Sequence, residues 1–118
     1  MTSPRAGKLL RIFVDESERW HGQPLYIAVV EALRHAGLAG ATVFRGIEGY
    51  GTHHVVHTAR VFDVAADLPM LIEVVDEEER IRAALPILDS MVTEGLVTVE
   101  SVEVWRYTRT AGKPGEAP

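Results

Sequence analysis

One stretch of the chain combines residue types suited to holding an anion: Arg45, Gly46, Gly49, Tyr50 and Gly51. Glycines let a backbone approach a ligand closely, an arginine fork pairs with phosphate or carboxylate, and a tyrosine ring can stack on a planar group. The alternative for the same residues is a strand that bends into a loop, with Arg45 paired to Glu73 across a sheet. Arg106, flanked by Trp105 and Tyr107 and followed by Arg109, is a second cationic candidate, although Arg109 reads better as part of a solvated tail. His53, His54 and His57 could offer imidazoles to a divalent metal. Neighbouring ligands in a polar loop nonetheless lack the geometry of a tight site. Asp15, Glu16 and Glu18 follow in a short acidic run that could hold Mg²⁺ or exchange protons. A polar turn pairing with Arg19 and with arginines across a subunit boundary is the simpler reading. No Ser-His-Asp spacing, Walker run or HExxH motif occurs, so the chain is read as a non-enzyme.

The whole chain narrows the field further. Its 118 residues suit one domain, and 47% apolar with 25% charged residues is the balance of a soluble fold. A net charge of −5 argues against a nucleic-acid partner, which would demand a basic stripe. With no cysteine, disulfides, thiolate metal sites and thiol catalysis are excluded. No apolar run approaches a membrane span, and Arg11 interrupts the apolar stretch near the N-terminus. A cytoplasmic protein, not inserted in a membrane, is expected.

The elements that must position these residues follow from periodicity. Lys8–Val14 alternates as a strand, with Leu10, Ile12 and Val14 on one face and Leu9, Arg11 and Phe13 on the other. Pro24 suits the first position of a helix whose stripe is Leu25, Ala28, Val29, Ala32, Leu33 and Ala36, stopped at Gly37. Ala41–Tyr50 reads as a second strand and Thr52–Asp67 as a long polar loop. Leu68–Val75 is a third strand. Asp76 and Glu79 then suggest a capping box for a second helix with Ile81, Ala84, Leu85, Leu88, Met91 and Val92 inward, and Pro86 predicts a kink in it. In the last strand, Val97–Tyr107, the alternation slips between Val99 and Val102, which suggests a bulge at Glu100–Ser101. Residues 1–7 and 108–118 read as flexible tails around a domain at 8–107.

The order βαββαβ predicts an α+β, ferredoxin-like sandwich: an antiparallel four-stranded sheet with two helices on one face. Two helices leave the other face bare, and Phe13, Leu71 and Val75 are too apolar to stand in water as one patch. Copies of the same chain are the natural cover, so a closed oligomer is expected.

The segments GATVFRGIEGYG (40–51), DLPMLIEVVDEEERI (67–81) and LPILDSMVTEGLVTVESVEVWRY (85–107) resemble the bacterial domain of unknown function 190 family, and VDESERWHGQPLY (14–26) fits it too. That family is PII-like, related to the nitrogen-regulatory PII signalling proteins. The resemblance implies a homotrimer with an adenine nucleotide or related small anion in the cleft between subunits. It also implies a mobile T-loop, here 52–67, that contacts a target, with a membrane transporter or channel as the expected partner. On it, Ile47–Gly51 opens that loop and the end carrying Arg106 lies near the cleft. One departure matters. PII proteins carry a Gly-Asp-Gly-Lys type phosphate loop where this chain has Thr93-Glu94-Gly95-Leu96-Val97, so the ligand does not transfer with the fold. The rival is a divalent-metal-binding protein of the CutA kind, using the loop histidines.

Overall fold

In the computed structural model, residues 3–51, 56–58 and 67–109 are described. The main elements are β1 (Arg5–Asp15), α1 (Leu25–His35), β4 (Thr42–Arg45), β7 (Pro69–Asp76), α2 (Glu78–Met91) and β8 (Leu96–Val104). Two minor pairs join them: β2 (Arg19–Trp20) with β3 (Gln23–Pro24), and β5 (Glu48–Gly49) with β6 (His57–Thr58). The sheet order is β4-β7-β1-β8 with every pairing antiparallel, the ferredoxin-like arrangement.

Alternation decides the faces. Leu10, Ile12 and Val14 of β1 and Met70, Ile72 and Val74 of β7 point to the helices. They meet Leu25, Ala28, Val29 and Leu33 of α1 and Ile81, Ala84, Leu88 and Met91 of α2 in one core. These are i, i+3/i+4 stripes, the spacing that buries one helix face. Pro24 precedes α1 as its N-cap, one position earlier than a first helical residue. α2 runs unbroken through Pro86.

The expected capping box does not form. Asp76 ends β7 and Glu77 occupies the N-cap without a side-chain bond. The Asp76 carboxylate is buried. Its Oδ1 accepts from the Glu77 amide at 2.7 Å and its Oδ2 from the Ala39 amide at 2.9 Å. It therefore ties the end of α1 to the start of α2 instead of capping.

Two further expectations are corrected. β1 begins at Arg5, three residues before Lys8, because Arg5 and Gly7 pair with Val104 and Val102. The bulge at Glu100–Ser101 is absent: β1 and β8 keep one register from Arg5↔Val104 to Phe13↔Leu96. The slip in apolar alternation has another cause. Val97 and Val99 face the helices, and the next helix-facing position is the polar Ser101 paired with Lys8, whereas Val102 and Val104 face the opposite side.

That opposite side is open. One rung, Phe44–Leu71–Phe13–Leu96, crosses all four strands with apolar side chains. Phe44 and Leu96 are 49% and 58% exposed. The next rung, Thr42–Glu73–Arg11–Thr98, carries a charge cluster in which Arg11 bonds Glu73 at 2.9 Å and also pairs with Glu100. Leu9, Val75, Val102 and Val104 continue the surface beyond it.

Candidate functional site

β4 ends at Arg45, and there three chain segments are knotted together. The Arg45 fork meets Glu16, from the turn after β1, through Nε to Oε2 and Nη2 to Oε1, each at 2.9 Å. Glu16 also exchanges backbone contacts with Leu68: its amide donates to the Leu68 carbonyl at 2.9 Å, and the Leu68 amide reaches its Oε1 at 3.5 Å. One residue on, Ser17 donates from its amide and hydroxyl to the two oxygens of Asp67, at 2.8 and 2.7 Å. Bidentate guanidinium–carboxylate pairing fixes direction as well as contact. The alternative pairing of Arg45 with Glu73 does not form: Arg45 lies on the helix-facing side of β4 with Met70, while Glu73 faces the open side and takes Arg11. Among the described residues Arg19 likewise bonds no acidic neighbour in this turn but donates to the Gly22 carbonyl at 2.6 Å.

The glycines serve this knot. The Gly46 amide donates to the Pro69 carbonyl at 2.7 Å, and a Cβ on Gly46 would stand 2.6 Å from Pro69 Cγ. At Gly49 the same ring would lie 3.1 Å away. Both glycines therefore let the outgoing chain press on the strand by which it returns. Gly51 has open space around it, and Tyr50 is largely exposed. Beyond them β5 and β6 pair, with the Thr58 hydroxyl donating to Glu48 Oε1 at 2.8 Å.

The electrostatics of the acidic turn are divided. Glu16 is held below the usual carboxylate range, chiefly by the hydrogen bond from Arg45. Glu18 is pushed up, chiefly by burial, with Asp15, Glu94 and Asp67 adding repulsion. A turn with its carboxylates committed in this way is a structural clasp; among the described residues no group of three His, Asp or Glu is arranged to hold a metal.

Arg106 is elsewhere. It follows β8 at the end where Arg5 pairs with Val104, whereas Arg45 lies at the end where Asp15 pairs with Pro69. The 11 residues of β1 separate the two ends, roughly 35 Å of strand. One chain brings Arg45, Gly46, Gly49, Tyr50 and Gly51 together and leaves Arg106 apart. Of the histidines, His53 and His54 lie outside the described residues, and His57 is described only as part of β6.

Two features escaped sequence reading. The β2–β3 hairpin turns on His21 and Gly22, both at positive φ, and His21 stacks on Trp20 at 3.8 Å. Arg5 and Arg80 join Arg106 around a cavity at the far end of the sheet.

Comparison with known proteins accords with this geometry. Residues 7–104 match the family DUF190, described as an uncharacterized ACR. A UPF0166 protein of Aquifex aeolicus is 42% identical over 97 residues, which span 82% of this chain and 91% of that protein. Among solved structures, CPII of Thiomonas intermedia K12 bound to ADP and bicarbonate superposes with a TM-score of 0.67 at 20% identity, covering 90% of this chain and 95% of that one. The divalent ion tolerance protein CutA1 of Ehrlichia chaffeensis also shares the fold, with a TM-score of 0.54 at 12% identity, covering 86% of this chain and 84% of that one. The fold is therefore PII-like, and it is common to proteins with different ligands.

Proposed function

The chain belongs to the DUF190 family, and on that footing we propose that it is a trimeric regulatory protein of the PII-like kind, which binds a small anionic, nucleotide-like ligand between subunits. The observation that carries this reading is the apolar rung Phe44–Leu71–Phe13–Leu96 on the uncovered face of the sheet. Removal of apolar surface from water is the main favourable contribution to association. Sister copies are the simplest cover, since each brings the same face. Phe44 adjoins Arg45 in sequence, so a seam on that rung runs beside the Arg45–Glu16 clasp. Arg45, Gly46, Gly49, Tyr50 and Gly51 would line the cleft from one subunit, and Arg106 would reach it from the neighbour.

In this reading the ligand acts on segment 52–67, whose two ends are the Gly46–Gly51 stretch and Asp67. A bound anion competes with Glu16 for the Arg45 fork. Release of Glu16 loosens its bond to the Leu68 amide, so occupancy is coupled to the base of the loop, and the loop contacts a target protein in one state only. The likeness to a PII-like protein that holds ADP and bicarbonate supports a nucleotide-class ligand.

A thermal-shift panel of adenine nucleotides, bicarbonate and divalent metals tests the proposal. Ligand at a hundred times its Kd adds about 2.7 kcal/mol, which raises the melting temperature of a domain this size by roughly ten degrees. The expected result is a nucleotide shift that Arg45→Ala removes. A panel without any nucleotide response would overturn the reading. A metal response lost on changing His53, His54 and His57 together would favour the metal-binding alternative.

A further inference from the structure

At the end of the sheet opposite Arg45 lies a cavity of about 400 Å³, whose wall includes Arg5, Arg80, Arg106, Asp76, Glu77 and Thr108. Its size falls within the range of small-molecule sites. Three guanidinium groups reach it from elements distant in sequence: the first residue of β1, the first turn of α2 and the segment after β8. In a chain of net charge −5 this convergence of cations stands out.

Internal carboxylates account for it only in part. Both oxygens of Asp76 accept backbone amides, from Glu77 and Ala39. Arg80 donates through Nη1 to the Gly37 carbonyl at 3.0 Å and its Nε is 4.0 Å from Asp76. That anchors its head and leaves its other amino group available. The side chains of Arg5 and Arg106 enter no hydrogen bond or ion pair among the described residues, although Glu77 lies on the same wall. Three guanidinium groups against the carboxylates of Asp76 and Glu77 leave the wall net cationic, and an anion bridging Arg5 and Arg106 offsets the repulsion that remains. The start of α2 adds to the field: its N-cap Glu77 makes no side-chain cap, and the first helical amides have no partner within the helix.

We infer that this cavity binds a phosphoryl group, gripped by Arg5 and Arg106 with Arg80 as the fixed third donor. Guanidinium forks match phosphate oxygens in pairs, which a lysine could not reproduce. The inference deepens the function proposed above, since Arg106 belongs to both. It also supplies a cationic cradle for a chain whose Thr93–Val97 turn has one glycine and no lysine. The phosphoryl group belongs either to a nucleoside diphosphate or to free pyrophosphate, and two probes distinguish these sources.

Binding of ADP and of inorganic pyrophosphate to the full chain is measured by calorimetry for the wild type, Arg5→Gln, Arg106→Gln, Arg80→Gln and Arg45→Ala, with urea midpoints in parallel. Arg5→Gln and Arg106→Gln are each expected to weaken pyrophosphate binding at least tenfold with the urea midpoint unchanged, because neither side chain holds the fold. If ADP weakens in parallel, the nucleotide is the source. If pyrophosphate binding falls while the wild type ignores ADP, the cavity stands and the nucleotide reading fails. Wild-type affinity for both probes in Arg5→Gln and Arg106→Gln, or no pyrophosphate binding by the wild type, overturns the inference. The proposed cleft survives that outcome if Arg45→Ala still abolishes ADP binding.

Discussion

Arg45 and Glu16, 29 residues apart, face each other through two parallel bonds of 2.9 Å and so join the end of β4 to the turn after β1. The pair sits where the chain leaves for segment 52–67 and beside Leu68, where it has returned. Whatever displaces Glu16 from Arg45 therefore also frees an acceptor of the Leu68 amide. On the proposed function, an anion that took the Arg45 fork would thereby reach the contact that Glu16 makes at Leu68.

The first prediction concerns pH. Glu16 is held below the ordinary value of 4.5 by the Arg45 fork, so its folded pKa is depressed. Its contribution to stability is complete above the unfolded value and is lost as pH falls through the folded one. Glu16→Gln should therefore melt below the wild type at pH 7, and the gap should close between pH 5 and strongly acid solution. Thermal melts across that range decide it; a gap that persists unchanged in acid would show that the carboxylate charge is not what Arg45 uses.

Glu18, two residues on, should behave with opposite sign. Burial raises its pKa, and Asp15, Glu94 and Asp67 raise it further. A carboxyl with a raised folded pKa favours the fold while protonated and disfavours it once ionised. Glu18→Gln keeps an acceptor for the Asp15 amide, which now lies 3.3 Å from Glu18 Oε1. The variant should melt slightly above the wild type at pH 7, a small margin because solvent screens a partly exposed carboxyl, and match it below pH 4. A neutral-pH melt equal to or lower than the wild type would contradict the burial argument.

These two residues also mark how far sequence reading carries. The faces of β1 were legible from Leu10, Ile12 and Val14 against Leu9, Arg11 and Phe13, because alternation is a local property. The two helices and the bare face were legible for the same reason. The Gly46–Gly51 bend is legible from its glycines and resemblance to a known family marks it as a site, while the structure gives it a packing cause in Pro69 that no local pattern carries. The partner of Arg45 is not legible in sequence, because its face depends on the register of β4 with β7, which periodicity leaves open. The bulge at Glu100–Ser101 failed similarly. Its pattern came from valines moving to the open face once the helices no longer covered the strand, and a composition signal cannot tell that from an inserted residue. The His21–Gly22 turn lacks the Asn-Gly or Asp-Gly signal that marks most two-residue hairpins.

Gly95 provides a prediction about the turn that stands in for the PII phosphate loop. Its φ is +153°, and a Cβ there would come to 2.5 Å from the Phe13 carbonyl oxygen, a backbone atom that cannot rotate away. Gly95→Ala should cost about 2–3 kcal/mol, the scale of enforced backbone strain plus a displaced strand contact. Gly40→Ala, with nothing within 4 Å, is the control and should be nearly neutral. Urea midpoints read both. Equal midpoints would mean that the turn shifts freely, and that β1 does not hold it against the sheet.

The last prediction tests the open face itself. Val75, 42% exposed, lies beside Leu9 on the rung next to the Arg11–Glu73 pair, and Phe44 caps the apolar rung at the sheet edge. Neither belongs to the core cluster, so a charge at either leaves the interior intact. If sister copies cover this surface, Phe44→Glu and Val75→Lys should each dissociate the trimer in sedimentation at micromolar concentration while keeping the urea slope of a folded chain. Charge is the informative change here. An exposed single-chain surface tolerates it within about 0.5 kcal/mol, whereas a buried subunit contact pays the full desolvation of an unpaired ion. A wild type that sediments as a monomer, or variants that remain trimeric, would remove the seam on which the proposed cleft depends. Arg45 would then be only a clasp for Glu16.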